Sequence, residues 1–475
     1  MQTPLFELFH TINSHYIYDT NKNQIYPISK ECSDILGKVK RGELSVPQAA
    51  AESDEISNLC ARGLLSDNRV ETLEHPYTPF LHPLLTRRIQ KVTLQLTQNC
   101  NFRCSYCHYT SNTGNQRLHA NRKMPLDMAK DAILFLREHS VDVPEVYIGF
   151  YGGEPLLEFD MLEELVLFAE KVLAGKKINY MLTTNAVLLT DQIIEFFMQH
   201  HVDLLISLDG SKESHDKNRV FAATGKGTFD SIIHKLREIS VKYPDYFKKI
   251  SINMVMDPSV DFDVYSALFK QYPFMKKVHV MSTIIDDLDS EVKNVYTEAF
   301  TSKNRYQTFL SYLNAFERMP SNLCSPALLS QSSALKEIVS IVSEREHLPQ
   351  KAIPSGPCVP GEVRLMVTVE GKFILCERVS EVSEPMCIGN IKDGLDFEKI
   401  YNLLNVAQTT AEHCRDCWAF SLCNLCVKYS DKDNTLCAST RLSHCNASKT
   451  HAVDTLRKAA MIRELTEYYG YSPIV

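Results

Sequence analysis

No run of apolar residues in this 475-residue chain approaches the length that a membrane-spanning helix needs, which excludes a helical span on hydropathy. The opening segment, MQTPLFELFHTINSHYIY, has neither a cationic leader ahead of an apolar stretch nor a small-residue cleavage site. A cytoplasmic protein with no membrane partner is the expectation. An excess of positive charge is also missing. Lys and Arg number 51 against 58 Asp and Glu, a net charge of -7, so the broad electrostatic footprint of a nucleic-acid binder is absent. There is no internal repeat and no low-complexity tract. With 44% hydrophobic residues the chain is long enough for two or three domains with separate cores, which excludes disordered and fibrous classes.

Cysteine, by contrast, is plentiful. The 15 cysteines cluster at short gaps, and in a reducing compartment such clustering points to metal ligation rather than to disulfides.

Residues 1–66 read as a small module. HYIYDTNKNQIYPI forms two strands around the polar turn Asp19–Gln24. Ile28, Cys32, Ile35, Leu36 and Val39 then share one helical face, with Ser29 as cap and Gly42 as stop, and a second helix carries Ile56, Leu59 and Leu64. A hairpin with short helices suggests a winged-helix-like module. Beyond it Pro76, Pro79 and Pro83 interrupt any regular element, so 67–90 reads as a linker. From 91 to 290 six strands alternate with helical segments: 92–97, 145–151, 179–184, 203–208, 249–256 and 278–284. That alternation predicts an α/β fold, a partial (β/α)6 TIM-like barrel with its site at the strand ends. Residues 291–355 read as a helical bridge, 356–450 as a cysteine-rich domain, and 451–475 as a C-terminal helix.

Cys100, Cys104 and Cys107 follow the first barrel strand as CNFRCSYC. Four cysteines ordinarily hold a cubane 4Fe-4S cluster, so three leave one iron open to another ligand. A zinc knuckle with His108 as fourth ligand is the competing reading. Against it stands Gly152-Gly153-Glu154-Pro155 just past the second strand, where glycines permit a close backbone approach and a carboxylate can accept an ammonium group. The C-x3-C-x2-C loop, Tyr106 before its last cysteine, and GGEP together resemble the radical SAM superfamily. In that superfamily the open iron binds S-adenosylmethionine (SAM), and one electron releases a 5′-deoxyadenosyl radical. The resemblance also implies that Thr184, Asn185, Ser207 and Asp209 meet the bound nucleoside and that Arg219 pairs with the SAM carboxylate.

A second register runs through Cys358, Cys376 in GKFILC, Cys414-x2-Cys417-x5-Cys423-x2-Cys426, and Cys437 or Cys445. Paired C-x2-C alone reads as zinc. Downstream of a radical SAM cradle, the register resembles the SPASM domain, which implies two auxiliary 4Fe-4S clusters and three in all. By position, auxiliary cluster II takes Cys414, Cys417, Cys423 and Cys445, with Cys437 as the alternative. Auxiliary cluster I takes Cys358, Cys376 and Cys426. Sulfatase-maturing relatives carry a further cysteine where this chain has Arg364, so cluster I is expected to keep an open iron unless Cys387 fills it. Cys32, Cys60 and Cys324 read as buried structural thiols.

Such enzymes mostly modify peptides or proteins, and the N-terminal module suits recognition of a leader peptide by strand addition. The resemblance is nearest to thioether-forming maturases of sactipeptides and ranthipeptides. It implies a ribosomally made precursor peptide with a cysteine-rich core, whose thiolate binds the open iron before a carbon–sulfur bond forms. It also implies a flavodoxin or ferredoxin as electron donor. A formylglycine-forming or other protein-modifying oxidase is the alternative, and a zinc-rich peptide-binding scaffold is the non-enzyme reading.

Overall fold

The computed structural model describes residues 3–110, 116–288, 290–354 and 357–470. Residues 1–2 of the expected module, 355–356 at the start of the expected cysteine-rich domain and 471–475 of the C-terminal stretch lie outside the described residues. No described helix is long and apolar enough to cross a membrane.

The chain forms two compact units. One comprises Met1–Pro79, Ser333–Cys358 and Tyr401–Val475, the other Phe80–Ser332 and Val359–Ile400. This corrects the linear division. The expected cysteine-rich domain is shared between the units, and the expected bridge divides at residue 333. The reason is strand pairing: Met366–Val367 lies parallel to the first barrel strand, which draws that part of the chain into the large sheet. The expected linker is also more regular than its prolines suggest. Leu81–Arg87 is helical, and Thr72–Leu73 pairs with Lys351–Ala352.

The first unit opens with three antiparallel strands, β1 (Phe6–His10), β2 (His15–Asp19) and β3 (Gln24–Ile28), with β2 central. Helix α1 (Lys30–Lys40) starts where the Ser29 hydroxyl accepts from the Cys32 N–H, satisfying one of the donors left bare at a helix start. It buries Cys32, Ile35, Leu36 and Val39 against Phe6, Ile17 and Ile28. A capping box of Ser45 and Gln48 starts α2 (Val46–Glu52), and α3 (Asp54–Ala61) adds Ile56 and Leu59 to the same core. In the same unit the C-terminal helix, Cys445–Tyr469, presents Glu464 to the Tyr16 hydroxyl at 2.8 Å and the Thr11 hydroxyl at 2.6 Å.

The second unit is built on a ten-stranded sheet. Its six parallel strands are those expected: β4 (Lys91–Thr97), β5 (Glu145–Gly152), β6 (Lys177–Thr184), β7 (Val202–Ser207), β8 (Ser251–Met256) and β9 (His279–Ile284). They lie in the order β9-β8-β7-β6-β5-β4, and the sheet continues past β4 through Met366–Val367, Lys372–Ile374, Cys387–Asn390 and Gly394–Leu395. The two ends do not pair among the described residues, so the barrel is open. Along each strand alternate residues are buried: Val92, Leu94 and Leu96 on β4, and Val146, Ile148 and Phe150 on β5. Tyr180 marks the outer face, because its hydroxyl donates to the Val166 carbonyl of helix Phe159–Val172. Thr93, Tyr147, Asn179 and Met181 fall on the opposite, less buried face.

Candidate active site at the strand ends

The cysteine loop leaves the carboxyl end of β4, and the loop after β5 supports it from beneath. Gly152 has φ +143°, and a Cβ there would stand 2.2 Å from the Thr97 carbonyl oxygen. One at Gly153 would stand 2.0 Å from the Asn99 oxygen and 3.0 Å from the Cys100 Cβ. The close approach that these glycines permit is therefore to the cysteine loop, and the Gly153 and Glu154 N–H groups bond the Thr97 and Asn99 carbonyls at 2.9 Å each.

Glu154 is buried and its carboxylate is spent within the fold. It accepts from the Leu156 N–H at 3.1 Å, the Thr184 hydroxyl at 2.7 Å and the Asn185 N–H at 2.8 Å. Burial nevertheless pushes its pKa above the ordinary carboxylate range. Pro155 follows as the first residue of a short 3-10 turn capped by Glu154. The Asn185 side chain donates to Asn101 Oδ1 at 2.7 Å, so the end of β6 also holds the cysteine loop. Ser207, buried at the end of β7, pairs in register with Asn253 of β8.

Tyr106, Asp209 and Arg219, which the sequence singled out separately, meet in one buried group. Arg219 Nε donates to Asp209 Oδ2 at 2.7 Å and its Nη2 to Oδ1 at 3.3 Å, while the Tyr106 hydroxyl also donates to Asp209. Asp209 is held from behind by His215, a residue that no motif marks. His215 Nδ1 accepts from the Asp209 N–H at 3.1 Å, and Nε2 lies 2.9 Å from the Thr228 hydroxyl, which donates onward to the Arg219 carbonyl.

Each cradle sulfur has a side-chain or backbone nitrogen beside it, and the Tyr109 N–H also reaches Cys107. The Phe102 N–H lies 3.3 Å from Cys100 Sγ, Arg219 Nη1 lies 3.8 Å from Cys104 Sγ, and His119 Nε2 lies 3.8 Å from Cys107 Sγ. Burial pushes the Cys100 thiol up to about 12 and the Cys104 thiol up to about 11, and it raises Cys107 as well. Free thiolates are thus unfavourable here, although donors point at the sulfurs; a bound cation would resolve that conflict by deprotonating the thiols outright. A single zinc fits poorly. Four ligands about 2.3 Å from one ion lie ~3.8 Å from one another, and among the described residues no three Cys, His, Asp or Glu side chains converge in that way. A cubane binds each thiolate to a different iron and so accepts a wider spacing.

The loop after the cradle is tied down by a second buried group that left no signal in the sequence. Glu381 accepts from Gln95 Nε2 at 2.6 Å, the Tyr109 hydroxyl at 2.6 Å and Arg117 Nε at 2.5 Å. Gln95 and Glu381 stand 286 residues apart in the chain, so no local pattern announces them.

In the other unit Cys414, Cys417, Cys423 and Cys445 lie near enough to act on one another electrostatically, without converging on one point among the described residues. Burial raises the Cys414 thiol, with Cys423 and Cys445 adding to the effect; Cys417 is pushed up to about 11 by burial, with Cys423 and Cys414 contributing. Cys445 is raised by burial and then by Cys423. Cys437 sits among hydroxyls instead: hydrogen bonds from Ser439 and Thr440 bring it down to about 7. The remaining expected ligands are divided, Cys358 and Cys426 in the first unit and Cys376 and Cys387 in the second. Cys387 Sγ lies 3.4 Å from the Gly389 carbonyl. Cys32 and Cys324 are buried, and Cys60 is partly so.

Comparison with known proteins agrees with this geometry. Residues 94–267 match the family described as the Radical SAM superfamily. The chain is 27% identical over 221 residues to a cysteine-type anaerobic sulfatase-maturating enzyme of Clostridium novyi, covering 46% of this chain and 56% of the relative. It is 25% identical over 245 residues to the radical SAM cyclopropyl synthase TigE of Paramaledivibacter caminithermalis, covering 48% and 50%. The chain thus spans about half the length of these curated relatives. A solved structure described as native anSMEcpe with bound AdoMet shares the fold, with a TM-score of 0.56 at 19% identity over 80% of this chain and 99% of that one. The six parallel strands, the loop of three cysteines and the family match agree in place: residues 94–267 match the radical SAM family.

Proposed function

We propose that the chain is a radical SAM enzyme acting on a peptide or protein, and that its product is a thioether between a cysteine thiol and a carbon of an acceptor residue. The observation that carries the proposal is the cradle, three half-buried cysteines with nitrogen groups beside their sulfurs, inside the region that matches the radical SAM family. Cys100, Cys104 and Cys107 would hold a 4Fe-4S cluster, which when bound would supply the electron for reductive cleavage of SAM. The chain's own residues do the positioning. Gly152, Gly153 and Glu154 fix the cysteine loop, and Pro155 starts the turn beyond them. Thr184, Asn185, Ser207 and Asp209 would border a nucleoside at the strand ends, the Thr184 hydroxyl and the Asp209 carboxylate being held by Glu154 and Arg219, and Arg219, backed by Asp209 and Tyr106, would present a cation to a carboxylate.

Cys414, Cys417, Cys423 and Cys445 are proposed to hold an auxiliary 4Fe-4S cluster. The further set of Cys358, Cys376 and Cys426 draws on both units, and the proposal rests on the two sets that fall within a single unit. Arg364, placed where sulfatase-maturing relatives have a cysteine, is ion-paired to Glu377 at 3.4 Å and offers no lone pair to a metal. That favours the thioether reading. The N-terminal sheet supports a leader-bearing precursor as substrate, since among the described residues β1 and β3 each pair only with β2 and leave an edge for an added strand. A flavodoxin or ferredoxin fits as reductant. The second reading, oxidation of a Cys or Ser to formylglycine, is favoured by the matches to sulfatase-maturating enzymes.

Mass spectrometry of a cysteine-rich peptide incubated anaerobically with reconstituted protein, SAM and reductant separates the two. A thioether removes two hydrogens and leaves the cysteine deaf to alkylation, whereas formylglycine leaves an aldehyde that reacts with hydrazines. Recovery of the aldehyde alone would overturn the thioether reading.

A further inference from the structure

We propose that His119 donates a hydrogen bond from Nε2 to the sulfur of Cys107 and so sets the reduction potential of the cluster held on the cradle. The inference rests on reading the cradle as a cluster site. Of the nitrogens beside the cradle sulfurs, those of Phe102 and Tyr109 are backbone N–H groups and Arg219 belongs to the buried group with Asp209. The remaining one, on the His119 side chain, comes from outside these. His119 lies in the segment after the cysteine loop, which folds back over it: the His119 N–H donates to the Tyr109 carbonyl at 3.2 Å, the Ala120 N–H to Gln98 at 3.3 Å, and the Gln98 N–H to Arg122 at 2.8 Å. Two residues before His119, Arg117 is clamped by Glu381, and its guanidinium lies 3.7 Å from the centre of the Tyr109 ring. The imidazole meets the same ring edge-on at 6.0 Å. Its orientation is therefore set by the fold.

The direction of the hydrogen bond follows from two observations. His119 Nδ1 is buried with no partner in hydrogen-bond geometry among the described residues, and the Gln98 carbonyl, which acts on the ring, already accepts from the Ala120 N–H, so a proton on Nδ1 would be a poorly satisfied donor. The proton accordingly sits on Nε2, the nitrogen 3.8 Å from Cys107 Sγ. A cysteine sulfur that ligates iron carries no hydrogen, so within such a pair only the imidazole can donate. A donor aimed at a ligand sulfur favours the reduced, more negative cluster, because the added electron increases charge on the sulfur. His119 therefore makes the cluster easier to reduce, and it is a positioning residue rather than a catalytic one.

The test is an anaerobic redox titration of the reconstituted full chain, following the electron paramagnetic resonance signal that changes when SAM is added. His119→Leu should keep its iron but shift the midpoint to more negative potential. His119→Gln, whose amide nitrogen can take the place of Nε2, should recover most of that shift. A wild-type midpoint in the Leu variant with full iron content overturns the proposal. Should the Leu variant fail to take up iron, wild-type protein carrying 15N-histidine is compared with His119→Gln by pulsed resonance. A nitrogen coupling present in the first and lost in the second supports the donor, and its absence from both overturns it. A wild-type protein with no SAM-sensitive iron signal would instead remove the cluster reading itself.

Discussion

The hydroxyl of Thr20 donates a 2.6 Å hydrogen bond to the backbone carbonyl of Trp418, the residue that follows Cys417. The Tyr18 ring meets the Trp418 indole edge-on at 6.4 Å, and Arg345 donates to the carbonyls of Thr20 and Asn21 and to Ser421 Oγ. The turn of the N-terminal hairpin is thus part of the support for the second cysteine group. Removal of residues 1–66 should lower iron bound at Cys414, Cys417, Cys423 and Cys445 as well as abolish leader binding. Thr20→Val, which loses one hydrogen bond, should cost about 1 kcal/mol, read as a lower urea midpoint.

Gly153→Ala is expected to disable the cradle. The added methyl would stand 2.0 Å from the Asn99 oxygen, and backbone cannot yield that much without moving the cysteine loop. Iron bound at the cradle and formation of deoxyadenosine should fall together. Gly37→Ala serves as the contrasting substitution. Its methyl meets only the Arg41 side chain at 3.4 Å, inside α1, where replacing glycine gains up to about 1 kcal/mol.

His215 should make the radical SAM unit sensitive to mild acid. Burial brings its pKa down to about 4, with Arg219 pushing the same way and Asp209 opposing. The structure explains why: Nδ1 accepts from the Asp209 N–H, and a proton on Nδ1 would face that donor. The unfolded chain takes up a proton near pH 6.5 and the folded chain only near 4, so stability is intact above about 6.5 and declines as pH falls through that window. The full effect is about 3 kcal/mol. Denaturant titrations at about pH 7.5 and about pH 4.5 should show this loss, and His215→Gln should flatten it. An equal pH slope in both proteins would count against the assignment.

Cys445→Ala should cost the protein one cluster, while Cys437→Ala should leave its iron unchanged. Iron and sulfide analysis of the two variants decides between them. Cys437, brought down to about 7 by its hydroxyl neighbours, should instead be the cysteine that alkylating reagents modify first near neutral pH.

The sequence announced what depends on local spacing. The buried face of α1, its Ser29 cap, all six parallel strands and the loop of three cysteines stand where periodicity and motif put them. What escaped is long-range or very short. Met366–Val367 has two residues, too few to show a strand period, yet its pairing with β4 moves Val359–Ile400 of the expected cysteine-rich domain into the unit of the large sheet. Glu381, Gln95 and Arg117 are ordinary polar residues until the fold brings them together. Glu154 illustrates the opposite case: the motif was legible, but its carboxylate proved to be engaged by the backbone of its own loop and the end of β6.

The bond between Thr20 and Trp418 spans 398 positions of the chain. At about 5–20 residues per second, a ribosome needs roughly 20–80 s to travel that distance. Throughout that interval the hairpin lacks Trp418 and the C-terminal helix that receives Tyr16, and for most of it Arg345 as well. Its β1 and β3 edges are then open to solvent or to chaperones. Iron delivered at Cys100, Cys104 and Cys107 during synthesis would meet a nearly finished radical SAM unit, while the second cysteine group must wait for the last helix. The order in which the two cysteine groups are completed is therefore written into the order in which the polypeptide is made.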